Sequence, residues 1–196
     1  MLAATFEGVR VVSLYAPNGR ALGSPFYQAK LAWYDRLARS VGAGDPGAPL
    51  VLGGDFNLAP TDLDVWDPVA CHGGTHVSPP EREAFFRLCR WGLTDAYRLH
   101  HEEPGRYSWW DYRAGAFHRN LGMRIDHLLV TRPVADRTVW AEIDREARKG
   151  KPVPSDHTPV VIDLDQPGRA FDAGWARVDR KALDGGGSGP QVGGAD

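Results

Sequence analysis

Short apolar runs rich in β-branched residues constrain this chain more than any other feature. They fall at 9–14, 50–52, 124–130, 138–143 and 158–164, and turn-forming residues bound them. Runs of that length and composition read as buried strands. A further strand is expected over Tyr107–Tyr112. Two helices interleave with these strands. Leu31, Tyr34, Leu37, Ala38 and Val41 recur at spacings of three and four, giving 27–41 one apolar face. The stretch Gly42–Pro49 ends it. Ser78-Pro79-Pro80-Glu81 has the form of a capping box with proline at the first helical position. That helix runs to Trp91 with Phe85, Leu88 and Cys89 as its core face, and Gly92 suits a left-handed stop. Strands alternating with helices place the chain in the α/β or α+β class.

Composition narrows the function. Of 196 residues, 42% are apolar and 24% charged, too apolar for wholesale disorder. Basic residues number 23 and acidic ones 25, for a net charge of −2, which excludes a strongly basic coat protein. Two cysteines, Cys71 and Cys89, exclude a disulfide scaffold. No apolar run approaches the roughly 18 residues of a membrane helix. The opening MLAATFEGVR has neither a basic start nor a long apolar stretch, so it does not read as a signal peptide. A cytoplasmic protein with no membrane partner is expected. One domain is expected over 1–165, followed by a glycine-rich flexible tail over 166–196. Residues 106–132 carry five arginines (Arg106, Arg113, Arg119, Arg124, Arg132) against Asp111 and Asp126. Such a local excess suits either an anionic polymer or a solvated face, and charge alone favours the latter.

Four polar places sit where an expected strand meets a loop. They are Tyr15 in YAPNG, Asp55 and Asn57 in GGDFN, Asp126 in RID, and Asp156-His157 in PSDHTPV. Sheet ends hold side chains rigidly while loops expose them. Asp55 and Asn57 lie two apart, so an extended segment points both to one side. A carboxylate there orients or deprotonates a water or binds a hard cation, and an amide donates to a phosphate oxygen without adding charge. The two preceding glycines admit close backbone approach. Taken singly, each place has an ordinary structural explanation: an Asx turn for GDFN, a core aromatic for Tyr15, a carboxylate satisfied by Arg124 for Asp126, a capped turn for His157. The combination, in this order, is far less expected by chance. Cys71, His72, His76 and Cys89 lack the paired spacing of a zinc site and read as loop and core residues. His100, His101 and His118 read as surface residues.

From Val9 to Leu164 the chain resembles the exonuclease III family of AP endonucleases, within the endonuclease/exonuclease/phosphatase superfamily. The resemblance rests on YAPNG, GGDFNLAPTDLDV, SPPEREAFFRLCRWGLTDAYR, YSWWDYR, GMRIDHLLV and PSDHTPVV. It implies a two-sheet α/β sandwich with outer helices. It also implies hydrolysis of double-stranded DNA 5′ to abasic sites, 3′→5′ exonuclease action and repair of damaged 3′ ends. Mg²⁺ is the implied cofactor, with Mn²⁺ as an alternative, and the protein is expected to act as a monomer. Carried over, Asp55 is the carboxylate that activates water, and Asn57 fixes it and contacts the phosphate. His157 stabilises charge on the phosphoryl oxygens, Asp126 holds its ring, and Tyr15 hydrogen-bonds the phosphate. Asp55, Asn57, Asp156 and His157 are the expected metal residues. Asn18, Trp109, Met123 and Ile125 are the expected substrate contacts, the last three lining a pocket for a flipped-out sugar. A bare sugar has no base to unstack, so its extrusion costs less than that of an intact nucleotide.

The family domain opens with a strand bearing an Asn motif and a later strand ending in Gln-Glu, both near the metal. Neither motif occurs here, so residues 1–165 are expected to be the C-terminal portion of such a domain, lacking its N-terminal strands. Two other readings stand beside the nuclease. One is a phosphatase or RNase relative of the same fold, and the other is a non-catalytic remnant that binds DNA or a partner.

Overall fold

A computed structural model describes residues 1–176 together with Val178 and Asp179. Nine strands and five α-helices occur among them. β1 (Leu2–Phe6) and β2 (Val9–Tyr15) form a hairpin, followed by α1 (Pro25–Gly42) and β3 (Leu50–Asp55). Then come α2 (Pro68–Cys71), α3 (Pro79–Trp91), β4 (Leu93–Asp95), β5 (Trp109–Trp110) and α4 (Ala116–Arg119). β6 (Gly122–Met123), β7 (Asp126–Thr131), α5 (Arg132–Ala135), β8 (Thr138–Ile143) and β9 (Val160–Leu164) complete the order.

The main sheet has the order β1-β2-β3-β7-β4, with β2 and β3 parallel and the other pairs antiparallel. Alternation along the strands sends Leu14, Leu52 and Leu129 to one face, where Tyr34, Leu37, Phe85 and Leu88 of α1 and α3 cover them. Val9, Val51 and Val130 fall on the other face, against Ile162 and Leu164 of β9. The second layer is the β8–β9 ribbon with the small two-stranded β5–β6 sheet. It packs around Trp110, Phe117 and Ile143. The α/β fold of two β layers with helices outside is therefore as expected.

The helices start and stop as their sequences require. Ser24 caps α1 by accepting from the Tyr27 amide at 3.1 Å. Glu81 reaches back to the Ser78 amide at 3.1 Å to cap α3. Gly54 is a position where packing requires glycine. A Cβ there would lie 2.0 Å from the Leu14 carbonyl oxygen, so β2 and β3 close only over a bare α-carbon.

Three expectations change. The strand expected over Tyr107–Tyr112 shrinks to Trp109–Trp110, because the chain leaves the sheet at Asp111, whose carboxylate accepts from the Arg113 amide at 2.8 Å. Edge strand β1 was not expected. It forms by pairing rather than by burial, and Leu2 and Phe6 remain 76% and 71% exposed. The boundary at 165 is too early. Ala173 and Trp175 are buried, and the Trp175 indole donates to the Ile143 carbonyl at 2.8 Å beside Trp110. The glycine-rich remainder expected over 180–196 lies outside the described residues. Among the described residues no helix is long and apolar enough to cross a membrane.

Trp175→Ala should destabilise the chain by about 3–5 kcal/mol, the usual cost of emptying a buried aromatic site. Urea unfolding followed by circular dichroism measures it, and a loss under about 1 kcal/mol would return this segment to the tail.

Candidate active site

Strand register brings the polar strand ends together. Tyr15 pairs with Asp55 across the parallel β2–β3 ladder, and Asp55 pairs with Asp126 across the antiparallel β3–β7 ladder. The segment 108–110 runs against 156–158. The Trp110 amide donates to the Asp156 carbonyl at 3.1 Å, and the Thr158 amide donates to the Ser108 carbonyl at 2.8 Å. Four distant stretches of sequence thus end at one place. Asp55, Asp126 and His157 offer oxygen and nitrogen atoms that all lie within 4.8 Å of one another.

Asp55 is held by Asn57. The Asn57 amide N–H donates to one carboxylate oxygen at 2.7 Å and its side-chain Nδ2 to the other at 2.8 Å. Asn57 Nδ2 also donates to the Ala16 carbonyl at 3.0 Å, and Asn57 Oδ1 accepts from Asn18 Nδ2 at 3.1 Å. Burial, and then the charge of Asp126, push the Asp55 carboxyl up to about 6 against the lowering influence of the Asn57 amide and His157.

His157 Nδ1 lies 2.9 Å from Asp126 Oδ2. A carboxylate there favours a proton on Nδ1 and turns Nε2 away from Asp126. Burial alone would lower this imidazole. The hydrogen bond and charge of Asp126, helped by Asp55 and Asp156, outweigh it and raise the pKa. Asp126 does not pair with Arg124. Its partner besides His157 is Ser108, whose hydroxyl donates to Asp126 Oδ2 at 2.7 Å while accepting from the Ile125 and Asp126 amides at 3.1 and 3.0 Å. Arg124 instead turns inward and binds Asp64 and Asp95, both at 2.7 Å. Both carboxyls sit below their ordinary range, because two bonded arginines at Asp64, and Arg124 with His127 at Asp95, outweigh burial. One of the five arginines in the expected basic strip is therefore neutralised in the interior.

The remaining expected residues divide. Tyr15 stands 68% exposed at the end of β2, open toward solvent beside Asp55. Asp156 accepts from the Trp109 indole at 3.0 Å. Trp109 and Met123 face each other across β5–β6 and are part-buried. Ile125, in the same apolar cluster, is only 2% exposed, so it underlies them and does not line open space. His101, expected at the surface, is held by the Ala141 carbonyl at 2.8 Å and stacks on Tyr97. Ser108 went unnoticed in the sequence, since a lone serine between aromatics carries no signal. Only the pairing of 108 with 158 puts it under Asp126.

The donor set suits a hard cation. Asp55 and Asp126 are oxygen donors that crowd each other, and a divalent ion between them would relieve the repulsion that, after burial, raises Asp55. His157 Nδ1 and the Asn57 amide are already engaged within the site. Asp55, Asp126 and His157 are the described residues whose ligand atoms come together; Asp126 joins the expected metal residues, and Asn57 and Asp156 are not part of this cluster.

Residues 2–157 match the profile of the Endonuclease/Exonuclease/phosphatase family. The chain belongs to this family. It is 35% identical over 158 residues to an exodeoxyribonuclease of Bacillus subtilis, a match covering 80% of this chain and 60% of that protein. It superposes with a TM-score of 0.80 on a 3′ phosphatase from Neisseria bound to a product DNA hairpin, at 42% identity over 84% of this chain and 64% of that one. An AP endonuclease from Archaeoglobus fulgidus gives the same TM-score and the same coverage at 34% identity. The chain thus spans about three fifths of the length of the curated relatives it matches.

Replacing Asp126 with Asn should drop the His157 pKa from above its ordinary value of about 6.5 to below it, because burial then meets less opposition. Imidazole shifts followed by NMR across pH 4–9 in metal-free protein read this directly. An unmoved titration would dissociate the two residues.

Proposed function

We propose that this chain carries the catalytic face of a Mg²⁺-dependent DNA phosphodiesterase. Its substrate would be double-stranded DNA, cut 5′ to abasic sites and trimmed at damaged 3′ ends in the 3′→5′ direction, by a cytoplasmic monomer. The observation that carries the reading is Asp55. It is pinned by two bonds from Asn57, has its pKa pushed up to about 6, and sits beside an imidazole bonded to a second carboxylate. A base with a pKa near the working pH is matched to taking a proton from water. The names of the relatives, an exodeoxyribonuclease, a DNA-bound 3′ phosphatase and an AP endonuclease, agree with it.

In this reading Asp55 accepts the proton of the attacking water, and Asn57 sets the direction from which it does so. His157, held charged by Asp126, turns its free edge to the phosphoryl oxygens as negative charge grows there. Asn18 and the exposed Tyr15 hydroxyl supply neutral donors to the same phosphate. Mg²⁺, or Mn²⁺ in its place, would be held at the cluster of Asp55, Asp126 and His157, with Asn57 and Asp156 as the further expected metal residues, and when bound would supply charge stabilisation at the phosphate. Trp109 and Met123 offer an apolar wall for a sugar without a base, with Ile125 as its support. Exposed Arg113 and Arg119 at the end of that wall suit the phosphate backbone.

The test is incision of a duplex with one abasic site by the 196-residue chain, with and without Mg²⁺. Asp55→Asn and His157→Ala should each lower cleavage by about a hundredfold or more, the scale of losing a general base or a charge stabiliser. Duplex affinity should stay within a few-fold. Cleavage at the wild-type rate would remove that residue from the mechanism. Salt-sensitive DNA binding by the wild-type chain without Mg²⁺-dependent cleavage would favour the non-catalytic reading.

A further inference from the structure

Directly beneath Asn57 lies a lysine with no contact with solvent. Lys30 of α1 and Glu81 of α3 are both 0% exposed and form an ion pair. An ammonium group has three protons to donate. Lys30 gives one to Glu81, one to the Asn57 carbonyl at 2.6 Å and one to the Asn18 carbonyl at 3.2 Å. The last two are the backbone carbonyls of residues whose side chains meet at the site, Asn18 Nδ2 to Asn57 Oδ1. A single cation therefore ties together the loops that follow β2 and β3.

Those contacts hold the Asn57 carbonyl in an uncommon backbone conformation. The φ of Asn57 is +48°, in the left-handed region that residues other than glycine enter at a cost. The same twist points its backbone N–H and side-chain amide at Asp55 together. His76 adds a ring nitrogen at the Asn57 carbonyl. Glu81 in turn holds the 75–78 loop, accepting from Thr75 Oγ1 and the His76 amide, each at 3.0 Å.

Buried ion pairs contribute little net stability compared with an apolar pair of similar volume, so stability alone does not explain this one. We infer that Lys30 is a positioning residue: by holding the Asn18 and Asn57 carbonyls it sets the Asn57 conformation that orients Asp55. The kinetic part of this inference rests on the phosphodiesterase reading, and the structural part does not.

The experiment compares Lys30→Met/Glu81→Gln with Glu81→Gln alone. The double variant removes both charges and the lysine's two carbonyl contacts. The single variant keeps Lys30 in place. Thermal unfolding establishes that each is folded at the measuring temperature. NMR of the Asn57 side-chain amide, held between Asp55 and the Ala16 carbonyl, is the first readout. Its two proton signals should collapse toward free-amide values in the double variant and stay at wild-type values in Glu81→Gln. Steady-state cleavage of the abasic duplex is the second. In the double variant kcat should fall at least tenfold with KM within twofold, the signature of a misplaced reacting group and not of lost affinity. Unchanged Asn57 signals in a folded double variant would overturn the proposal. So would loss of those signals in Glu81→Gln, which would assign the role to the carboxylate. If the wild-type chain does not cleave, the phosphodiesterase reading fails and the amide signals alone decide the role of Lys30.

Discussion

The antiparallel pairing of β3 with β7 sets Asp55 opposite Asp126, and the rest of the site answers to that placement. Two carboxylates at matched positions on neighbouring strands repel one another, and the site has to absorb the repulsion. It does so with donors. Asn57 gives two hydrogen bonds to Asp55, Ser108 gives one to Asp126, and His157 shares a proton with Asp126. Burial first, and then the repulsion left over from Asp126, hold the Asp55 carboxyl up at about 6.

Charge inside the domain follows a contrasting rule a few ångströms away. Arg124, two residues before Asp126, is fully engaged by Asp64 and Asp95. Asp64 receives Arg98 as well, and Asp95 has His127 beside it. Here every acid has its base, and the carboxyls titrate low. The chain passes from one regime to the other within three residues, at the start of β7. Arg124 turns into a neutral interior, while Asp126 turns toward Asp55 and His157.

Much of this was legible in the sequence, for reasons that can be named. β2, β3, β7, β8 and β9 announce themselves as short apolar β-branched runs, and α1 and α3 by apolar residues recurring at three and four, because burial selects for both patterns. The four polar places at strand ends were visible because glycine, asparagine and aspartate cluster where ladders stop. Features that depend on pairing without burial were not visible. β1 writes no alternation, since both its faces meet solvent. Its one local clue is Glu7-Gly8, a two-residue turn with positive φ at both positions that suits a tight hairpin. Ser108 and Lys30 are single residues whose importance comes from partners 18 and 27 positions away. Trp175 sits among residues whose composition reads as a tail, and only the aromatic cluster around Trp110 reveals that it belongs to the core.

β1 leaves a row of amide and carbonyl groups along the rim of the main sheet, and its sequence LAATF has no charge to discourage a neighbour. Leu2 and Phe6 stand on the same side as Val11, so the rim is sticky as well as unpaired. Any extended polypeptide that meets it finds a ready template, including another molecule of this chain. Strand addition there takes two molecules, so loss by that route would rise with protein concentration, unlike unfolding of the core.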